Sequence, residues 1–343
     1  MKEAINILPI YKIEHSCILS YSGDITIAFK ATLPEIFSLS DRDYEAYHQA
    51  WVKAIKVLPA NSIFHKQDWF LMENFKADFE KKGQDFLSRS NERFFNERPC
   101  IQHSCYVFLT KKPVGRKASS SAVSNILRRS IVPAQTTSPL LIADFLDKAG
   151  QFERILHDSG FVGLERLNDD DLAGTANKAG IIERYCFLLG EKDMPIIRDI
   201  HLHDGIFIGE KKMEIYTLAD TENLPAFCGS RINYEPYSTD KSKYSIGFAS
   251  PLGQLLKGNH ILNQYVFLGD AQKTIKRLEA KKLRLQSLSS YSRENSISRD
   301  AVNDFLNEAV AFGRLPVKSH INVLAWSDDP MEQKEIKNRV SSA

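Results

Sequence analysis

The residues best suited to chemistry are those of the run His201-Leu202-His203-Asp204. Alternate residues of a strand share a face, so both imidazoles could reach one divalent ion. Two ligands do not close a site, however, and Gly205 turns the chain before a third histidine appears at a recognised spacing. The reading is solvated strand-end histidines, with a stand-alone metal-dependent hydrolase as the alternative. Cys100, His103 and Cys105 form a similar cluster, and the alternation of Cys105 with Val107 and Leu109 marks core packing.

Nucleotide chemistry finds no purchase. A phosphate loop needs a glycine-rich turn followed by Gly-Lys-Ser/Thr, because backbone amides wrap the phosphates while the lysine reaches the outer ones. Gly253 and Gly258 have the required separation, but Asn259 and His260 follow, and the chain contains no Gly-Lys dipeptide. Asp270, after Val266-Phe267-Leu268-Gly269, has the look of a strand-end acid and reads as a helix N-cap. No Gly-x-Ser-x-Gly elbow occurs, and the paired Asp328 and Asp329 sit at a helix start, where the macrodipole explains them. No catalytic, cofactor-binding or metal residue is therefore expected in this chain.

Charge offers a different role. The balance of 45 Lys+Arg against 43 Asp+Glu gives a net charge of +2, which makes no global case for nucleic acid or membrane, so local clusters must make it. Two exist. Lys111, Lys112, Arg116, Lys117, Arg128 and Arg129 fall in a stretch without acids from Lys111 to Ala143, and Lys273 to Arg284 includes Lys281, Lys282 and Arg284. These nine residues are the candidate interaction surface. A solvated helix face is the bland reading, and a nucleic-acid-binding module the bolder one.

The elements that must position these residues follow from pattern. Ile13 to Ser20 and Ile25 to Lys30 form a hairpin around Tyr21-Ser22-Gly23-Asp24; Ser40 opens a helix striped with Tyr44, Tyr47, Trp51, Ile55 and Leu58. Ser62 to Leu71 is a strand, Asn74 starts a second helix with Phe75, Phe79 and Phe86, and His103 to Thr110 is a fourth strand. A helix from Thr137-Ser138-Pro139 to His157 and a shorter one from Asp169-Asp170-Asp171 follow. Strands near Met213 to Leu218, Lys243 to Ala249 and His260 to Leu268 precede a basic helix to Leu288, a helix capped by Ser298, and a strand from Ser319 to Trp326. The expected fold is α+β, with two mixed lobes of largely antiparallel sheet and a helical middle segment. Boundaries fall at 1–110, a basic Ser/Pro-rich linker 111–138, a helical segment 139–190, and a second lobe 191–343.

Five scattered cysteines give no framework of bridges, the N-terminus carries no secretory signal, and no apolar run matches a membrane span. A cytoplasmic location is expected. Asp329-Pro330-Met331-Glu332 caps a last helix with an acid, a proline at the first helical position and a glutamate placed for a capping box. That helix has no terminator, so the chain is expected to be the front part of a longer protein.

Three stretches carry a resemblance. They are Leu8-Pro9-Ile10-Tyr11-Lys12-Ile13-Glu14 with Gly23-Asp24-Ile25-Thr26; Asp43 to Trp51 through His65-Lys66-Gln67-Asp68-Trp69; and Leu288-Ser289-Ser290-Tyr291-Ser292-Arg293-Glu294-Asn295. Together they resemble the N-terminal region of the TraG-family conjugation ATPases of conjugative transposons, relatives of the ATPase that energises type IV secretion. The resemblance implies a non-catalytic assembly and docking region at the cytoplasmic face of the inner membrane. ATP and Mg would belong to a RecA-like domain C-terminal to it, and none of that domain's phosphate-binding residues maps onto this chain. Partners implied are other secretion components, the chain's own ATPase domain and further copies of itself.

Overall fold

Alternating apolar residues from both halves of the chain converge on one antiparallel sheet. The computed structural model describes residues 9–36, 39–78, 85–113, 138–220, 228–241 and 243–342. Strands β1 (Ile10–Glu14) and β2 (Cys17–Ser20) divide the single strand expected over Ile13 to Ser20, because His15 and Ser16 both take positive φ and reverse the chain. β3 (Ile25–Thr32) pairs with β2 across the expected turn. Helix α1 (Asp41–Val57) is capped by Ser40, whose hydroxyl accepts from the Asp43 amide at 3.2 Å.

β4 (Ser62–Asn74) and β5 (Pro99–Lys111) form the longest ladder, from Ser62 against Lys111 to Asn74 against Pro99. This overturns the helix expected from Asn74: the Phe75 amide donates to the Arg98 carbonyl, so the chain stays extended to that point. The helix itself, α2 (Phe86–Phe95), has its cap eleven residues later, at Asp85; Phe79 lies outside the described residues. Tertiary pairing has overridden local propensity.

The helical middle comprises α3 (Pro139–Asp158), the short strand β6 (Gly163–Arg166), α4 (Asp169–Ala173) with a capping box between Asn168 and Asp171, a tight ribbon of β7 (Gly174–Thr175) and β8 (Lys178–Ala179), and α5 (Ile181–Phe187). Then come β9 (Ile200–His201), β10 (Ile206–Ile208) and β11 (Lys211–Thr217). The strand expected over Lys243 to Ala249 shrinks to β13 (Ser245–Ile246), paired with β12 (Ile232–Asn233). β14 (Asn259–Leu268), α6 (Ala271–Leu288), α7 (Arg293–Ala311), β15 (Val317–Ser327) and α8 (Pro330–Ser342) complete the chain. The cap of α7 is Ser292 rather than Ser298, and in α8 Glu332 accepts the Ser327 hydroxyl instead of closing a capping box.

The α+β class holds. The main sheet runs β1-β2-β3-β5-β4-β14-β15-β11-β10-β9, with β6 added beside β3. The β4–β14 ladder, from Ser62 against Leu268 to Phe70 against His260, joins strands of the two expected lobes. Its register is fixed by a buried polar chain: Trp69 Nε1 donates to Gln67 Oε1 (2.7 Å), Gln67 Nε2 to Asn263 Oδ1 (2.9 Å) and Asn263 Nδ2 to Asn322 Oδ1 (2.9 Å). A one-residue slip of β4 against β14 would break the Gln67–Asn263 bond and leave a buried amide unpaired.

One face of the sheet packs Phe29, Phe64, Val107 and Leu109 against Ala50 and Ala54 of α1 and Phe145, Phe152 and Leu156 of α3. Further along that face, Phe70, Leu262 and Val323 meet Ile336 of α8. The opposite face buries Trp69, Tyr106, Ile261 and Trp326 under Leu172 and Ile181.

Candidate interaction surface

Ten consecutive pairs, from Asn259 against Trp326 to Leu268 against Val317, make β14 and β15 the two arms of a hairpin whose connection is itself a pair of helices. Asp270 caps α6 by accepting from the Lys273 amide (3.1 Å). At the far end, Asn295 Nδ2 donates to the Leu288 carbonyl (3.2 Å) and Ser292 Oγ accepts from the Glu294 amide (3.2 Å), so one stretch closes α6 and opens α7. That stretch, Leu288 to Asn295, is one of the three that carried the family resemblance. Tyr291 stands at its tip, 83% exposed.

The principal contact of each of these two helices is the other. Only Leu285, Leu306 and Ala309 are buried between them, while Leu283, Ile297, Phe305, Val310 and Phe312 are exposed. We call the pair the arm. One side of it carries a shallow groove of about 330 Å³ lined by Leu278 and Lys281 of α6 and Ser298, Ala301, Val302 and Phe305 of α7. A mostly apolar groove with Lys281 at its edge, open to solvent, suits helix docking rather than bond chemistry.

Of the nine candidate basic residues, Lys281, Lys282 and Arg284 lie on α6, but not on one side. Lys281 lines the groove, whereas Lys282 Nζ donates to Asn303 Oδ1 (2.7 Å) on the opposite side. Lys111 ends β5 with its ammonium donating to the Ala60 carbonyl, and burial lowers its pKa. The Lys112 amide donates to the Asn61 carbonyl (2.9 Å), and the Asn61 amide to the Leu268 carbonyl (2.7 Å). The start of the basic stretch and the root of the arm thus meet at the same end of the sheet. Arg116, Lys117, Arg128 and Arg129 lie outside the described residues.

His201 and His203 line a second shallow recess with Asp204, Phe207 and Gly209. His203 Nδ1 approaches Asp204 at 3.1 Å, yet both side chains are more than nine-tenths exposed. Among the described residues, no group of three His, Cys, Asp or Glu side chains is placed to hold a metal.

Sequence reasoning missed an ionic cluster in the sheet interior. Asp68, whose side chain is 5% exposed, pairs with Lys66 and accepts from His103 Nε2 at 3.0 Å. Burial alone would raise its pKa; the Lys66 charge and the His103 hydrogen bond override that and hold the carboxyl well below the usual range. Burial pushes the neighbouring Cys105 thiol strongly up, which keeps it protonated. The legible signal was the spacing of Lys66 and Asp68 between Phe64 and Phe70, which places two charges on one buried face of the strand. Across the sheet, burial outweighs the hydrogen bond that His65 Nε2 makes to Asn263 Oδ1 and pushes His65 down to about 4.

Among the described residues no helix is long and apolar enough to cross a membrane. A family profile described as "Domain of unknown function, B. Theta Gene description (DUF3875)" matches residues 2–49. That span covers β1 to β3 and the first half of α1. No curated protein matches the chain.

Proposed function

We propose that this chain is a non-catalytic assembly and docking region of a conjugative-transfer ATPase of the type IV secretion class. The observation that supports it is the arm: two helices of 18 and 19 residues whose main partners are each other, carrying exposed apolar side chains on a rigid sheet. A surface of that kind costs solubility unless something covers it. Its turn is formed by Leu288 to Asn295, one of the stretches that resembles the TraG-family N-terminal region. In this reading the sheet and α1–α3 form the platform, the arm reaches other secretion components at the cytoplasmic face of the inner membrane, and ATP hydrolysis belongs to a domain C-terminal to this region.

The test is a deletion in the native gene. Leu268 and Val317 are paired neighbours, so residues 269–316 can be replaced by a two-residue turn without opening the sheet. The expected result is a protein that accumulates normally and fails to support DNA transfer. Transfer at the undeleted level would overturn the proposal, as would nucleotide hydrolysis by the purified chain itself.

A further inference from the structure

We infer that the arm pairs with the arm of a second copy of this chain, the two lying side by side and pointing the same way, with α6 of each against α7 of the other. This rests on the docking reading above and names the arm's partner.

The inference starts from the signs of the charges that border the groove. At 100° per residue, Lys273, Arg277, Lys281 and Arg284 fall on the flank of α6 that borders the groove, and the one acid there is the N-cap Asp270 before the helix. Glu279, the single acid of α6, falls on the other side. The groove-side flank of α7 carries Glu294, Asp304 and Glu308 beside Phe305, and the one base near it, Arg293, falls about 20° beyond Asp304 at the helix start. The flank on one side of the groove is therefore basic, that on the other mainly acidic, and the groove between them mostly apolar. Each copy presents both halves of a complementary pair.

Level as well as sign matches. The residues lining the groove place the Leu278–Lys281 level opposite Ser298–Phe305, and a rise of about 1.5 Å per residue then carries the register outward. Lys273 comes level with Glu308, Arg277 with Asp304, and Arg284 lies about 4.5 Å from the level of Glu294. Two two-fold axes could bring the grooves together. An axis parallel to the arm sets α6 beside the partner's α7 and pairs opposite charges at matched levels. An axis across the arm sets α6 beside the partner's α6 and opposes base to base. Electrostatics selects the first.

The existing pairs of these side chains are weak competitors. Lys273 reaches Asp270 at 3.3 Å and Glu308 meets Arg314 at 2.6 Å, all four side chains more than a third exposed. Size sets the strength. A two-helix face about 27 Å long and about 20 Å wide covers about 500 Å² per copy, so about 1,000 Å² in all, the lower bound for a specific interface. The pairing should therefore be reversible and salt-sensitive.

Sedimentation velocity of the purified chain over about a hundredfold range of concentration, at low salt and at about tenfold higher salt, tests this. The expected result is a monomer–dimer equilibrium that weakens in salt. R277E and D304R, each with an unchanged far-ultraviolet circular dichroism spectrum, should each weaken the dimer by about tenfold or more, because two symmetry-related attractions become repulsions. The double variant R277E/D304R swaps both signs and should recover the wild-type affinity. A wild-type chain that is monomeric throughout overturns the inference, as does a dimer that neither variant moves, a dimer that R277E strengthens, or a double variant as weak as the single ones. A monomeric chain whose arm deletion still abolishes DNA transfer would remove this partner and leave the docking reading standing.

Discussion

The molecule contains two antiparallel helix pairs of nearly equal length, α1 with α3 and α6 with α7, and they have opposite fates. α1 and α3 lie on the sheet and bury Ala50, Ala54, Phe145, Ala149, Phe152 and Leu156, with Trp51, Phe64 and Phe152 in mutual ring contact near 6 Å. α6 and α7 bury three residues between themselves and leave larger apolar side chains in solvent. Lengths are comparable, and both arm helices are capped by side chains whereas Ser138 gives α3 no such cap, so it is the width of the apolar stripe that separates the pairs. A wide stripe makes a helix part of a core, whereas a narrow one leaves a face for another molecule.

The sharpest test of that contrast is truncation of matched aromatics. Phe152→Ala empties a fully buried site and should cost about 3–5 kcal/mol in urea unfolding, whereas Phe305→Ala, at a site 49% exposed, should cost less than about 1 kcal/mol. Equal losses would mean that the arm belongs to the core after all. Next in size is Asp68→Ala, which strands the buried Lys66 ammonium beneath the α1 layer and should destabilise by about 3 kcal/mol. Met in place of Lys66 in the same chain should restore much of the loss.

A smaller effect follows from pH. His65 titrates near 4 when folded, and His260, held between the Gly253 and Gly258 carbonyls at 2.9 Å each, is lowered by burial as well. Between pH 6.5 and 4 the unfolded chain therefore binds more protons than the folded one, so stability rises with pH across that window and is lost as pH falls through it. The loss between pH 7 and pH 4 should be about 2–3 kcal/mol, measured as the change in urea midpoint. His65→Gln should flatten the slope in part. The arm has no histidine, so its helical signal should persist to lower pH than the near-ultraviolet signal of the sheet. The smallest effect separates the pairs kinetically: amides of α6 and α7 should exchange with deuterium earlier than those of α1 and α3.

How much of this could be read beforehand depends on how local the cause was. Ser40 with Asp43, the stripe Tyr44 to Leu58, and Asp270 at the root of α6 are signals carried by neighbours in sequence, and all three appear in the structure. Asn74 misled because Pro99, on another strand, holds it extended. Ser298 misled because Asn295 and Ser292 together satisfy the turn before it. The continuous sheet was illegible because the Gln67–Asn263 bond that sets its register spans residues far apart in sequence. At the arm the basic half was visible in Lys281 and Arg284, while Asp304 and Glu308 escaped notice because a solvated helix normally carries such charges. Their meaning depends on which flank borders the groove, and that requires the antiparallel partner helix.

The arm's place in the chain also bears on how the sheet assembles. About 48 residues separate Leu268 from Val317, and bringing such ends together as a flexible loop costs roughly 3 kcal/mol of chain entropy. A helical hairpin forms from local contacts within microseconds and delivers its two ends side by side. Only a few unstructured residues at its root then remain to be closed, which lowers that cost by roughly half. The arm is in this respect a folding clamp for the two central strands, and a short turn grafted in its place would do the same work by proximity alone.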